Sequence, residues 1–364
     1  MARGRLVRRE AFALCAALAV WASAPAAREA RSLLADWDGG ALEARWHRDC
    51  GRSVEFPLVR VGERILVASS DHRVTCLDRM SGKSIWSRRI KKGIALPIAA
   101  DGASARVWVV EGLQRAKLLS LDLRNGKALA ARDLALPSIA LAADSLGAVV
   151  IAPDGRVSAF DPAPGDPSWE WRSAGPIAAG LCLDGDRVFV AARDDSLWAL
   201  DRRDGRVVWR SSAAGPRAAP PSLLDGNLVL VSLAGDVEFV SALDGRTLRR
   251  ERRAAGILSA PVSWGESLVS ATPGGQVEAR ARDGGALNWR RELGDITPHP
   301  LAAVGPFVLA ATGHGKLVAL RGGGGETAWS LDLPGRVSVV PLIGDEEIVV
   351  ATERGEVYAY APVP

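Results

Sequence analysis

Short apolar runs alternate with turns rich in glycine and aspartate, and the pattern repeats about every forty residues. The clearest copy runs from Leu200 to Trp209. In it a strand ends at Leu200 and Asp201 begins a turn. Gly205 supplies the positive φ that the turn needs, and a second strand delivers an indole four residues later. Each period accommodates four short strands, and helical periodicity is missing outside the N-terminal region. The pattern predicts an all-β fold built from four-stranded sheets.

One outer-strand position of the repeat can be followed through the chain and occurs eight times. It holds Trp46, Trp86, Ala130, Trp169, Trp209, Arg249, Trp289 and Trp329. A second series with the same period precedes segments of small apolar residues and consists of Pro57, Pro97, Pro137, Pro176, Pro221, Pro261, Pro300 and Pro341. Proline fits the start of a strand, and small side chains fit where inner strands crowd towards an axis. The two series predict an eight-bladed β-propeller in which the six tryptophans pack between adjacent blades.

Four of the turns share an aspartate at the start and a glycine four residues later. These pairs are Asp78 and Gly82, Asp122 and Gly126, Asp161 and Gly165, and Asp201 and Gly205. We expect the carboxylates to cap the backbone of the turn rather than to act in catalysis, because aspartate at a turn start accepts bonds from the following N–H groups. Later repeats replace the aspartate with Ser241, Ala281 and Arg321.

Two incomplete repeats stand at the ends of the chain. The segment around Trp46 has the outer-strand register but no preceding aspartate turn, and the segment Gly355–Tyr360 reads as a strand that should lead into such a turn. A propeller ring closes without a free sheet edge when the N-terminal strand completes the last blade. We therefore predict this closure, with residues 41–364 forming one propeller domain and residues 27–40 an exposed leader.

The first 26 residues have the features of a secretory signal peptide. Arg3, Arg5, Arg8 and Arg9 precede an apolar run, and small residues follow it. Removing this segment lowers the formal charge from +4 to about +1, so the composition does not favour a nucleic-acid partner. The sequence predicts export to the periplasm, no integral membrane segment after cleavage, and a monomer.

The remaining residues offer little catalytic chemistry. The four histidines, His47, His72, His299 and His314, have no nucleophile-and-base spacing. The mature chain keeps Cys50, Cys76 and Cys182, without a Cys-x-x-Cys pair, and buried free thiols are expected in the apolar strands. We predict no catalytic residue, no cofactor and no metal site.

The unit Asp-x-x-x-Gly-Lys/Arg-x-x-Trp, seen from Asp78 to Trp86 and from Asp201 to Trp209, resembles the repeat of the pyrroloquinoline-quinone-like propeller superfamily. That resemblance covers the mature chain and implies the fold, but the superfamily includes both quinoprotein dehydrogenases and non-enzymatic scaffolds. Its dehydrogenases carry an adjacent cysteine pair and a calcium ion beside the quinone. This chain has no adjacent cysteines.

In size, blade count and export the chain is similar to the BamB family of outer-membrane assembly propellers, and the segment Val349–Tyr358 is similar to that family's last blade. This resemblance implies a non-catalytic periplasmic scaffold near the outer membrane that binds an envelope protein, with the barrel-assembly protein BamA as candidate. It also implies a partner contact at Arg217. Two alternatives remain open: a quinone-dependent dehydrogenase, and an envelope sensor that binds glycans or peptides.

Overall fold

The computed structural model describes residues 37, 42–113, 115–212, 219–232, 234–253, 257, 259–283, 285–297 and 300–362, apart from the side chains of 178 and 179. Within these residues the chain forms eight four-stranded antiparallel sheets and no helix. Each sheet is one blade, so the predicted all-β eight-bladed propeller is confirmed.

The strands follow one another in chain order and are grouped here by blade. Blade 1 contains β2 (Val59–Val61), β3 (Arg64–Ser69), β4 (Arg73–Asp78) and β5 (Ser84–Arg89). Blade 2 contains β6 (Ala99–Asp101), β7 (Arg106–Glu111), β8 (Lys117–Asp122) and β9 (Ala128–Asp133). Blade 3 contains β10 (Ala140–Asp144), β11 (Gly147–Ile151), β12 (Arg156–Phe160) and β13 (Trp169–Arg172). Blade 4 contains β14 (Ile177–Asp184), β15 (Arg187–Ala192), β16 (Ser196–Asp201) and β17 (Val207–Ser212).

The second half of the ring continues in the same way. Blade 5 contains β18 (Ser222–Leu224), β19 (Asn227–Val231), β20 (Asp236–Ser241) and β21 (Thr247–Arg252). Blade 6 contains β22 (Val262–Trp264), β23 (Ser267–Ala271), β24 (Gln276–Ala281) and β25 (Leu287–Glu292). Blade 7 contains β26 (Ala302–Val304), β27 (Phe307–Ala311), β28 (Lys316–Arg321) and β29 (Thr327–Asp332). Blade 8 contains β30 (Leu342–Ile343), β31 (Ile348–Ala351), β32 (Glu356–Pro362) and β1 (Leu42–Asp49).

The two faces of the ring carry different connections. The connections between blades and the central hairpin of each blade lie at one face, which we call the proline face because the eight repeated prolines precede the inner strands there. The turn after each inner strand and the turn before each outer strand lie at the opposite face, which we call the glycine face. This separation follows from the antiparallel order of the strands.

The ring is closed by pairing between the two ends of the chain. Strand β1 runs antiparallel to β32, from the pair Leu42 and Pro362 to the pair Asp49 and Glu356, with an irregularity between Ala44 and Trp46. The strand that carries Trp46 therefore completes the last blade as its outer strand. This removes the sheet edge that an unclosed ring would expose.

Trp37 departs from the expected exposed leader. Its side chain is buried, and its ring centroid lies 5.2 Å from those of both Phe307 and Trp329. In blade 8 no turn connects β32 to β1, because β1 is the first strand in chain order and β32 the last. Trp37 covers the blade 7 indole at this junction, and burial of a large aromatic surface explains why it does so.

The hydrophobic core lies between the blades rather than in one centre. Trp86 of blade 1, for example, belongs to one cluster with Val107, Val109 and Leu121 of blade 2. Alternate residues of each middle strand pack against the preceding and the following blade, so both faces of the middle strands read as apolar. The residues that join blades therefore position every loop on the two faces.

Candidate functional site

Five of the six register tryptophans each tie one blade to the next through a hydrogen bond. At five junctions the indole N–H donates to a carbonyl in the turn before the following blade's outer strand. The bonds are Trp46 to Arg79 at 2.8 Å, Trp86 to Leu123 at 2.9 Å, Trp169 to Arg202 at 3.0 Å, Trp209 to Ala242 at 3.1 Å and Trp289 to Gly322 at 2.6 Å. Each indole thus satisfies its single polar group while burying its rings.

The turn glycines lie against the same indoles. A Cβ placed on Gly82, Gly126, Gly205, Gly245 or Gly325 would lie only 2.5–2.6 Å from the nearest ring atom of the preceding blade's tryptophan. The same five glycines have φ between +64° and +75°, a region that residues with a Cβ rarely adopt. Glycine is therefore required at these positions for two reasons: the turn needs a positive φ, and the indole leaves no room for a Cβ.

Three turn aspartates accept hydrogen bonds from the turn backbone. The Asp78 carboxylate accepts from the N–H of Ser81 at 2.9 Å. Asp122 accepts from the N–H of Arg124 at 2.6 Å, and Asp201 from that of Arg203 at 2.8 Å. The hydrogen bonds from the Ser81 hydroxyl and backbone hold the pKa of Asp78 below its usual value. These carboxylates are therefore engaged with their own turns.

The junction between blades 2 and 3 differs, because Ala130 replaces the indole. Among the described residues Gly165 makes no turn bond back to Asp161, and its φ is +157°, so this connection departs from the expected turn. Arg132 holds it instead, donating to the carbonyls of Gly165 at 2.9 Å, Asp161 at 3.0 Å and Ala163. This junction is thus held by arginine bonds without an indole.

At the junction between blades 5 and 6 the register position is Arg249. Its guanidinium lies 4.3 Å from the ring centroid of Phe239 and pairs with Glu251 at 2.5 Å. The other Glu251 oxygen pairs with Arg253 at 2.9 Å, and Arg253 is buried. Burial lowers the pKa of Arg253 in spite of the neighbouring Glu251. Charged groups therefore fill the position that indoles fill at other junctions.

A second set of interblade contacts, made by arginines, was not predicted from the sequence. Two residues after the register position, an arginine donates to the carbonyl of the next blade's turn glycine. These bonds are Arg48 to Gly82 at 2.8 Å, Arg88 to Gly126 at 2.9 Å, Arg132 to Gly165 at 2.9 Å and Arg291 to Gly325 at 2.9 Å. The recurrence of arginine at this spacing was the available signal.

Buried ion pairs join further blades at the glycine face. Arg202 of blade 4 is almost fully buried and makes two bonds of 2.8 Å to the Asp144 carboxylate of blade 3. Arg79 of blade 1 pairs with Glu347 of blade 8 at 2.5 Å. Burial raises the pKa of Glu347 although Arg79 opposes that effect. These pairs fix the relative positions of neighbouring blades.

The proline face carries an apolar depression. A cavity of about 340 Å³ lies where the inner strands meet, and Pro57, Pro221, Pro300 and Pro341 are among its lining residues. On the same face His314 in the hairpin of blade 7 lies 2.7 Å from Asp295. Arg217 and His299 both lie outside the described residues.

The described part of the chain contains no group of three or more histidine, cysteine, aspartate or glutamate residues that could hold a metal ion. Cys50, Cys76 and Cys182 are free and buried. Burial raises the pKa of the Cys50 and Cys182 thiols to about 12 and that of Cys76 to about 11. Such thiols stay protonated at neutral pH and are poor nucleophiles.

The repeated contacts between blades and the pairing of β1 with β32 define a propeller of the pyrroloquinoline-quinone-like type. The model of the family described as outer membrane protein assembly factor BamB matches residues 23–153, 153–297 and 273–362. The chain therefore belongs to this family. No curated protein matches the chain by sequence. In the residues that the structure describes, no helix is long and apolar enough to cross a membrane.

Several solved structures share the fold at low sequence identity. BamB from Moraxella catarrhalis is 18% identical with a TM-score of 0.75, covering 88% of this chain and 98% of that chain. The quinohemoprotein alcohol dehydrogenase from Comamonas testosteroni is 14% identical with a TM-score of 0.69, covering 88% of this chain and 76% of that chain. The computationally designed Ika8 protein is 15% identical with a TM-score of 0.65, covering 85% of this chain and all of that one. These likenesses concern the fold alone.

Proposed function

We propose that the chain is a non-catalytic periplasmic scaffold that acts in the assembly of outer-membrane β-barrel proteins by binding another envelope protein. The observation that carries this proposal is the family match, which extends from residue 23 to residue 362. The signal peptide predicted at residues 1–26 supports export, although it lies outside the described residues. The candidate partner is BamA.

The interblade joints support a scaffold mechanism. Buried indole bonds, turn glycines and arginine bonds hold neighbouring blades together around the ring. Loops fixed on such a frame lose little conformational entropy when a partner binds, which favours affinity. The scaffold would present these loops, and no bond would be made or broken in the partner.

We place the partner contact on the proline face. Six of the eight connections between blades there are nine residues long, but their sequences differ. Function in a repeat protein is expected where the repeats differ, because the shared parts are needed for packing. The connection at residues 213–221, between β17 and β18, contains Arg217.

Affinity capture from envelope extracts tests the proposal. The full mature chain should enrich BamA, and Arg217→Glu should reduce that enrichment roughly tenfold or more, as expected for a charge reversal at a contact. Arg203→Glu is the matched control, because Arg203 is exposed on the glycine face. Loss of BamA with both variants, or with neither, would contradict the placement on the proline face. Failure of the unaltered chain to enrich BamA would contradict the proposed function.

A further inference from the structure

Two arginines face each other across the outer strands of blade 1. Arg73 at the start of β4 is the direct cross-strand partner of Arg89 at the end of β5. Their side chains share one face of the sheet, and like charges directly opposite each other destabilise a strand pair. Arg73 lies 3.5 Å from Asp71, whereas the Arg89 side chain makes no hydrogen bond or ion pair with any described residue. The charge of Arg89 is therefore not balanced within the blade.

The equivalent cross-strand pair joins opposite charges in three other blades. These pairs are Lys117 with Asp133 in blade 2, Asp236 with Arg252 in blade 5 and Lys316 with Asp332 in blade 7. Blade 3 also pairs two arginines, Arg156 and Arg172. Glu170 and Asp154 supply the opposite charges there, at 3.9 Å and 3.0 Å from the respective arginine. Blade 1 keeps two cations with one acidic neighbour, and such a local conflict is expected where residues serve a function rather than the fold.

Two lysines follow in the connection between blades 1 and 2. Lys91 and Lys92 are exposed, and neither ammonium group has a hydrogen bond or ion pair in the part of the chain that the structure describes. The backbone N–H of Lys92 donates to Glu111 at 3.1 Å, and Glu111 is itself buried. This carboxylate therefore holds the backbone of the connection, and the two ammonium groups face solvent.

The central hairpin of blade 2 lies beside these lysines and adds a cation and an apolar side chain. The N–H of Gly112 donates to the carbonyl of Gly93, which follows Lys92, at 2.9 Å. Leu113 is 61% exposed, and Arg115 is exposed without a partner among the described residues. These exposed side chains form one surface at the edge of the proline face, which we call the blade 1–2 patch: Arg89, Lys91, Lys92, Leu113 and Arg115.

We infer that the blade 1–2 patch docks the protein onto a membrane surface that carries anionic lipid headgroups. The patch holds four unpaired cations, whereas the whole mature chain has a formal charge of about +1. Anionic headgroups attract such a cluster, and each Lys or Arg near the surface strengthens binding roughly fivefold. The exposed Leu113 favours a membrane over an acidic polypeptide, because an apolar side chain that inserts among headgroups adds to the attraction between charges.

The membrane contact and the partner contact proposed above use different parts of the ring. The connection at residues 213–221 lies between blades 4 and 5, whereas the patch belongs to blades 1 and 2. Docking through the patch would therefore leave the partner's connection free. The inference does not depend on the identity of the partner, and failure of either proposal leaves the other standing.

Co-sedimentation of the full mature chain with lipid vesicles tests the inference. The chain should bind vesicles of equal parts phosphatidylglycerol and phosphatidylcholine at least about tenfold more tightly than vesicles of phosphatidylcholine alone, and high salt should remove the difference. The double variant Lys91→Glu with Lys92→Glu should bind the anionic vesicles at least about tenfold more weakly. The matched control is Arg124→Glu with Lys127→Glu, which makes the same change of charge at exposed residues on the glycine face and should leave binding unchanged.

A second variant tests the apolar part of the patch. Leu113→Ser should weaken binding to the anionic vesicles several-fold, whereas Leu243→Ser, at a position 72% exposed on the glycine face, should not. Thermal unfolding verifies that each variant is folded before binding is measured.

The inference is overturned if the chain does not prefer anionic vesicles, or if the two double variants bind them equally. Poly-glutamate provides the remaining comparison. Binding to poly-glutamate as tight as to the anionic vesicles, with no effect of Leu113→Ser, would assign the patch to an acidic polypeptide and would also overturn the inference.

Discussion

The turn glycine and the indole of the preceding blade make one contact, and each residue is needed for the other. Gly205 has a φ of +72°, and a Cβ on it would lie 2.5 Å from the Trp169 ring. Gly226 has nearly the same φ, +73°, but nothing lies within 4 Å of the corresponding Cβ position. Comparing Gly205 with Gly226 therefore separates two reasons for a glycine: a positive φ, which both positions have, and the close approach of an indole, which only Gly205 has.

Gly205→Ala should lower the free energy of unfolding by about 3 kcal/mol, because it combines left-handed backbone strain with overpacking against the indole. Gly226→Ala should lower it by about 1 kcal/mol, since only the backbone strain applies. Urea unfolding of both variants measures the difference. Equal losses of unfolding free energy in the two variants would show that the contact with the indole does not require glycine at position 205.

The indole N–H bond can be tested in the same way. Trp169→Phe leaves the Arg202 carbonyl without its donor, which should cost about 1–3 kcal/mol in addition to the lost ring area. Trp329→Phe is the control, because the Trp329 indole nitrogen is buried and has no acceptor among the described residues. We expect a clearly smaller loss of stability for the control in urea unfolding, and a similar loss in both would contradict the role given to the bond.

The connection between blades 6 and 7 is held in place by contacts with the central hairpin of blade 7. Asp295 follows blade 6 and accepts bonds from the backbone N–H groups of Ile296 at 2.7 Å and His314 at 3.2 Å. Burial acts to raise the pKa of Asp295, but hydrogen bonds from Thr312, His314 and the backbone outweigh it and lower the pKa to about 2. The carboxylate thus links this connection to the central hairpin of blade 7.

This link should depend on pH in a defined direction. The folded pKa of about 2 lies below the ordinary value of 3.8, so the stabilisation is fully present above pH 4 and is lost as the pH falls towards 2. Asp295→Asn should therefore lower the melting temperature at pH 5 and have little effect near pH 2. Melting curves of both proteins across this range provide the test, and a difference that grows on acidification would have the wrong sign.

The recurrent parts of these elements could be predicted from sequence, and the unique contacts could not. The Trp46 register and the turn at Gly205 were found because each is local and repeats with one period. The Arg202–Asp144 pair was not, because its members are 58 residues apart and occur once. Trp37 also stands outside the repeat, so no periodic signal indicated its burial. Ala130 was visible as a missing indole, but the bonds by which Arg132 holds this junction depend on how two blades pack.

Across the whole molecule, the pairing of the chain ends converts eight sheets into a closed ring. Strands β1 and β32 provide the main-chain bonds, and the Arg79–Glu347 and Arg60–Asp345 pairs link blade 8 to blade 1. Trp37 then covers Trp329 on the other side of blade 8. Closure therefore relies on side chains as well as on strand pairing.

Trp37→Ala should lower the free energy of unfolding by about 3–5 kcal/mol, the usual cost of truncating a buried tryptophan. The reason is the loss of its contacts with Phe307 and Trp329. Urea unfolding of the mature chain provides the measurement, with Trp37→Phe as a conservative variant that should recover most of the loss. An effect below about 1 kcal/mol would show that Trp37 has no part in closure.

A titration of two purified proteins tests the scaffold function. The mature chain should bind the purified periplasmic region of BamA saturably, with a dissociation constant in the micromolar range or below, as is usual for specific protein interfaces. Arg217→Glu should weaken that binding, and Arg203→Glu should leave it unchanged. Absence of saturable binding by the folded, unaltered chain would contradict the account.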